Sequence, residues 1–185
     1  QALTASQTAV AYLVPWGTQA SARLMTAALR TGLQVKSTDK AFSKDGRQFP
    51  TGTLIFTRSG NPEDLTEQLQ QLSRDTGADV IAVANTWVDQ GPNFGSGHVK
   101  RIHAPRIALA WDYPTSAPGQ TRFVLERQYQ YPVSAIRTDN LVRADLSRYQ
   151  VIILPETRGS YDSVLGKAGT ARLNDWVKAG GTLIA

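Results

Sequence analysis

The sequence predicts an α/β fold with a mainly parallel sheet flanked by helices. Three observations point there. Short apolar runs, about four to six residues long and rich in β-branched side chains, alternate with amphipathic segments of about ten to fifteen, the pattern of successive βαβ units. Val151-Ile152-Ile153-Leu154 is apolar without a break, as a strand covered on both faces requires. Residues 85–105 show no sustained periodicity, and Gly91, Pro92, Asn93, Gly95, Ser96 and Gly97 make their middle rich in turn formers. A structureless stretch of that length reads as a boundary or a functional loop. The expected division is therefore a smaller α/β first half over residues 1–90, a linker or long loop over 91–104, and a second α/β half over 105–185.

Residues 10–14 form the first expected strand, ending at Pro15. A helix follows over 21–31, where Ala22, Met25 and Leu29 recur at three- and four-residue steps and Gly32 supplies the stop. Leu33, Val35 and Phe42 suggest an extended return before the polar turn Lys44-Asp45-Gly46-Arg47. Residues 53–57 read as a strand. Asn61-Pro62-Glu63-Asp64 then reads as a helix start, with Asn61 as cap, Pro62 at the first helical position and two acids near the positive end of the dipole. Leu65, Leu69 and Leu72 make the buried stripe of that helix, Gly77 ends it, and residues 80–84 are the next strand.

The second half repeats the order strand, helix, return over 107–111, 119–130 and 132–136. Trp16 and Trp111 stand at matching places after their strands, a weak similarity between the halves. The strand at 151–154, a helix carrying Leu173, Trp176 and Val177, the stop Gly180-Gly181 and a strand at 182–184 complete the chain.

Composition narrows the function classes. With 185 residues, 41% hydrophobic and 19% charged, a stable core needs neither metal nor crosslink. There is no cysteine, which excludes disulfides, thiolate metal sites and a cysteine nucleophile within these residues. No apolar stretch approaches the ~20 residues of a membrane span. The chain opens on Gln1-Ala2-Leu3 and stops in the apolar run Thr182-Leu183-Ile184-Ala185, so it is expected to be part of a longer protein, truncated at its carboxyl end. Net charge is +5, but only Lys100, Arg101, His103 and Arg106 cluster, with no interleaved aromatic, so a nucleic-acid partner is not expected.

In parallel sheets ligands gather at the carboxyl ends of the strands. That rule selects Trp16, Trp111, Asp112, Tyr113, Glu156 and Arg158 as a possible ligand cleft, with Asp112 as a candidate base and Arg158 as a candidate anion clamp. The two histidines, His98 and His103, are each followed three residues on by an arginine where a zinc site needs a carboxylate, so no metal is expected in this chain. Residues 159–167 have the wrong spacing for a phosphate loop, and Ala168 replaces the magnesium-holding hydroxyl. There is no Gly-x-Ser-x-Gly elbow.

Residues 105–185 resemble the class I glutamine amidotransferase-like (flavodoxin-like) fold. The resemblance is carried by Arg106-Ile107-Ala108-Leu109-Ala110, by Tyr149 with the strand after it, and by Trp176-Val177-Lys178-Ala179-Gly180-Gly181-Thr182. Thr121-Arg122-Phe123-Val124-Leu125-Glu126 with Tyr131-Pro132 is similar to the region following the catalytic domain in bacterial secreted zinc carboxypeptidase-like proteins (carboxypeptidase A-type). Tyr12-Leu13-Val14-Pro15 and Phe49-Pro50-Thr51-Gly52-Thr53 fit the same group. The resemblance implies a non-catalytic accessory domain, structural or substrate-positioning, in an exported (periplasmic or extracellular) protein whose activity is proteolysis. Zinc would reside in the parent's peptidase domain, which would be the partner in cis, with a peptide as a further ligand. Active amidotransferases carry glycines where this chain has Glu156-Thr157, and their nucleophile elbow would fall after Ala185. A degenerate amidotransferase-like hydrolase and a module binding a peptide or cell-wall fragment are the alternatives.

Overall fold

Strand β1, Ala11–Val14, buries all four of its side chains. Tyr12 and Val14 point to one face and Ala11 and Leu13 to the other, and each face has its own apolar layer. The computed structural model describes residues 9–112, 116–157 and 159–185. The chain divides into two units, Gln1–Ala104 and Pro105–Ala185.

In the first unit helices α1 (Gln19–Arg30) and α2 (Leu65–Thr76) cover the Tyr12 face. Leu24, Ala28, Leu65 and Leu69 pack there on strands β2 (Val35–Thr38) and β5 (Leu54–Thr57), through Val35, Leu54 and Phe56. The opposite face is covered by the hairpin β3 (Phe42–Lys44) and β4 (Arg47–Phe49), together with Val88 and Phe94. Phe42 stacks on Phe49 with centroids 4.9 Å apart and meets Phe94 edge-on at 5.9 Å. Each fully buried Leu or Phe in these layers contributes on the order of 1.5–3 kcal/mol.

With β6 (Ile81–Val83) and β7 (Val99–Ile102), the five-stranded sheet has the order β6-β1-β5-β2-β7, and every neighbouring pair is antiparallel. Strand β5 lies between β1 and β2, and β1 lies between β5 and β6, so two βαβ units interleave in the split βαβ arrangement, extended by β7. The mainly parallel sheet expected for the whole chain is therefore confined to the second unit. A continuous apolar run reports cover on both faces, and here helices and a hairpin supply that cover to an antiparallel sheet. The matching positions of Trp16 and Trp111 accordingly reflect no repeated architecture.

Two further expectations are corrected. The segment 91–104, expected as a linker or long loop, belongs to the first unit and carries β7, which pairs with β2 from Val35↔Ile102 to Thr38↔Val99. The first unit, expected as the smaller, is the longer one. Its irregular part is anchored by single buried residues, Val88 and Phe94, which leave no periodic signature. Asn61 does not cap α2, which starts at Leu65. Its side chain instead accepts from the Gln34 N–H at 2.7 Å and donates to the Gln34 and Thr57 carbonyls at 3.1 and 2.8 Å, tying the loop after β5 to the entry of β2. The Gly77 stop is found as expected, with φ 74°.

The hairpin turn explains itself chemically. Asp45 and Gly46 both have positive φ, 51° and 73°, as a two-residue type I′ turn demands. The turn leaves Lys44 with its side chain 1% exposed. Its ammonium donates to Asn85 Oδ1 at 2.8 Å and the Trp87 carbonyl at 2.9 Å, and Asp45 Oδ2 lies at 3.3 Å. Three donors meet three acceptors, which is what a buried ammonium requires.

The second unit is a four-stranded parallel sheet of β8 (Ile107–Trp111), β9 (Val133–Arg137), β10 (Val151–Ile153) and β11 (Thr182–Ile184), in the order β11-β10-β8-β9. Helix α3 (Ser116–Phe123) widens into a π turn at Val124–Gln128, and α4 (Thr138–Leu141) and α5 (Tyr161–Lys178) follow. Ala108, Ala110 and Ile152 pack on Leu141, Leu146, Leu165 and Leu173. Helix α5 approaches the turn after α4 so closely that a Cβ on Gly169 would lie 2.4 Å from the Val142 side chain. Arg172 donates to the Val142 and Ala144 carbonyls, and Trp176 Nε1 donates to the Leu146 carbonyl at 3.0 Å, so α5 is fixed by polar contacts as well as by its apolar face.

Lys44→Ala strips the Trp87 carbonyl and Asn85 of their ammonium donor and is expected to destabilise the first unit by about 1.5–3 kcal/mol, read from urea unfolding.

Candidate functional site

In an open parallel sheet, connections leaving neighbouring strands in opposite directions open a crevice at their carboxyl ends. In the second unit that place lies between β8, whose chain continues to β9 on one side, and β10, whose chain continues to β11 on the other. A cleft of about 210 Å³ is found there, lined by Asp112 after β8, Ser116 and Pro118 in the first turn of α3, Glu156 and Thr157 after β10, and Tyr161 at the start of α5.

Local sequence explains each delivery. The apolar run of β8 is buried through Ala110, and Asp112 is the first charged residue beyond it. After β10, Leu154 and Pro155 stay buried and Glu156 emerges. Ser160 caps α5 by accepting from the Asp162 N–H at 3.2 Å, which fixes where Tyr161 leaves the backbone. The Tyr161 hydroxyl donates to the Pro155 carbonyl at 2.5 Å, bracing the loop after β10.

Burial pushes the Tyr161 phenol above its ordinary value, and the negative charge of Asp112 adds to the shift. The two groups therefore sense one another across the cleft. The described lining offers two carboxylates and three hydroxyls, with the Tyr161 proton committed to Pro155. Such a lining accepts hydrogen bonds and suits a ligand that presents an amine or guanidinium.

Of the residues selected from sequence, Asp112 and Glu156 are brought together in this cleft. Tyr113 and Arg158 lie outside the described residues. Trp111 ends β8, and the Arg122 guanidinium lies 5.7 Å from its ring centroid. Arg122 Nε also donates to Glu126 Oε2 at 2.8 Å, and this hydrogen bond holds the Glu126 carboxyl below its usual value. Trp16 belongs to the first unit and packs against its helical core, over Gly52, where a Cβ would come within 2.7 Å of the indole. Both tryptophans thus have packing partners.

Sequence reasoning missed Ser116, Thr157 and Tyr161. The available signal was Ser160 as a helix cap, since the first residue after a cap at the end of a parallel strand faces the crevice. No group of three or more His, Cys, Asp and Glu able to hold a metal occurs among the described residues, and His98 Nδ1 is engaged by Asp39 Oδ1 at 2.8 Å. Among the described residues no helix is long and apolar enough to cross a membrane.

Burial also raises the phenol of Tyr131, whose hydroxyl donates to the Pro105 carbonyl at 2.7 Å. A raised value means that the folded state favours the protonated phenol. Its stabilisation is complete below the ordinary value of 10.0 and is lost as pH rises through the folded value. Urea unfolding should therefore show the second unit weakening above pH 10.0, with a shallower decline in Tyr161→Phe, while Asp112→Asn should let Tyr161 ionise at lower pH in a spectroscopic titration. Comparisons with models of known families, with curated proteins and with solved structures find no match for this chain.

Proposed function

We propose that this chain is a non-catalytic accessory domain that positions a peptide, binding it through a cationic group at the cleft between β8 and β10. One observation carries the reading: Asp112 and Glu156 both line the cleft at the reversal of strand order, whose described titratable groups are those two carboxylates and Tyr161. Two carboxylates at the mouth of a parallel sheet select a charged amine, and a peptide offers one at its amino terminus or on a lysine side chain.

The strand order β9-β8-β10-β11 is that of a flavodoxin-like sheet, which supports assigning the second unit to the amidotransferase-like class. The resemblance of residues 121–132 to the region after the catalytic domain of secreted zinc carboxypeptidase-like proteins supplies the setting. In that setting the peptidase domain in cis holds zinc and cleaves, the present chain orients the substrate, and the whole is exported. The same strand order also suits an amidotransferase-like hydrolase. Against that reading stands Glu156-Thr157, which puts a charged side chain where the active enzymes need bare backbone amides for an oxyanion.

The test combines binding and turnover. The chain, supplied with zinc, should release no carboxyl-terminal residue from peptides. It should bind a short peptide with a free amino terminus more tightly than the acetylated form, and Asp112→Asn with Glu156→Gln should weaken that binding about tenfold, as expected for loss of charge-assisted hydrogen bonds. Turnover by this chain alone, or equal affinity for free and acetylated peptide, overturns the proposal.

A further inference from the structure

Trp87 is the most exposed large apolar side chain among the described residues, at 76%. A single exposed apolar residue signifies nothing by itself. Here two independent features accompany it. The first is that its backbone is immobilised from beneath: the Trp87 carbonyl accepts from the buried Lys44 ammonium at 2.9 Å, its N–H donates to Asn85 Oδ1 at 3.0 Å, and the neighbouring Val88 is buried. The indole is thus presented to solvent from a held backbone, so that the side chain alone has to be ordered on binding.

The second feature is a pair of cations on the same side of the sheet. Trp87 borders an open cleft of about 380 Å³ whose lining includes Lys36, Thr57, Thr86, Asn93 and Gly95. In the strand register Lys36 pairs with Ile55 on one side and with Arg101 on the other, so Ile55, Lys36 and Arg101 form one row across β5, β2 and β7 on a single face. Like charges directly opposite on adjacent strands are destabilising. Neither Lys36 nor Arg101 has an ion-pair partner among the described residues, so the row offers two cations to an anionic ligand. The side chains of Thr86 and Asn93 likewise make no hydrogen bond among the described residues. Thr57 Oγ1 donates to the Ser59 carbonyl at 3.0 Å and keeps its lone pairs for a ligand.

We infer that this cleft binds an acidic saccharide, a pyranose bearing a carboxylate. The C–H face of the ring lies on the Trp87 indole, its hydroxyls meet Asn93, Thr86 and Thr57, and the carboxylate neutralises Lys36 and Arg101. The carboxylate thereby meets two like charges that the register sets opposite one another. A nucleotide is the competing occupant, since a base also stacks on an indole. The lining disfavours it: phosphates are typically cradled by the amides of a helix amino terminus, whereas the cations here project from strands and no helix start borders the cleft.

Calorimetric titration of the whole chain with a glucuronic-acid-containing disaccharide, with its neutral glucose counterpart and with adenosine monophosphate tests the assignment. The uronate is expected to bind best. Trp87→Ala should weaken it about tenfold, the scale of one aromatic contact, and Lys36→Gln with Arg101→Gln should reduce it to the level of the neutral sugar. Lys36 is half-buried and Arg101 and Trp87 are exposed, and a cooperative thermal transition with a midpoint no lower than that of the unaltered chain confirms that each variant remains folded. Uronate affinity indifferent to Trp87→Ala, tighter Trp87-dependent binding of adenosine monophosphate, or no saturable binding of the uronate would each overturn the inference.

Discussion

The structure depends on central strands that are covered on both faces. Tyr12 and Val14 on one side of β1, and Ala11 and Leu13 on the other, are all withdrawn from water, and β8 is buried from Ile107 to Ala110. Such a strand has no solvent side on which to place a polar residue, so its chemistry is carried by whatever follows it. That is why Asp112 and Glu156 appear where they do, each as the first charged residue after the apolar stretch of its strand. The cleft is a consequence of covering the sheet and reversing the strand order.

The two units meet this constraint by different means. In the second, helices and the turns between them cover a parallel sheet, and α5 is drawn close by Gly169 and pinned by Arg172 and Trp176. In the first, two helices cover one face, while a hairpin and an irregular segment cover the other. The irregular segment has few apolar anchors, and Lys44 replaces missing hydrophobic contact with three polar ones. A buried ammonium is costly unless all its donors are met, so the same residue that stabilises the segment also dictates its path. The path ends with Trp87 facing outward, beside Lys36.

The division between the two candidate sites follows from this arrangement. The cleft of the second unit is acidic and lies at strand ends, in the position the parallel topology makes available. The cleft of the first unit is bordered by Lys36 of β2, which the register sets opposite Arg101 of the edge strand β7. Each is built from residues of one unit.

Residue pattern alone determined where most strands and helices lie, because apolar periodicity and stop residues such as Gly32 and Gly77 act locally. It also determined the Asp45-Gly46 turn, since only that chemistry suits two consecutive positive φ values. The direction in which strands pair was decided by tertiary structure: β1 and β8 read alike in sequence, yet one is antiparallel to both neighbours and the other parallel, because burial on two faces erases the alternation that would tell them apart. The role of Asn61, the strand at 99–102 and the meeting of Asp112 with Tyr161 were likewise decided only in three dimensions. Each rests on contacts between residues far apart in the chain, and no short-range pattern encodes the partner at the other end.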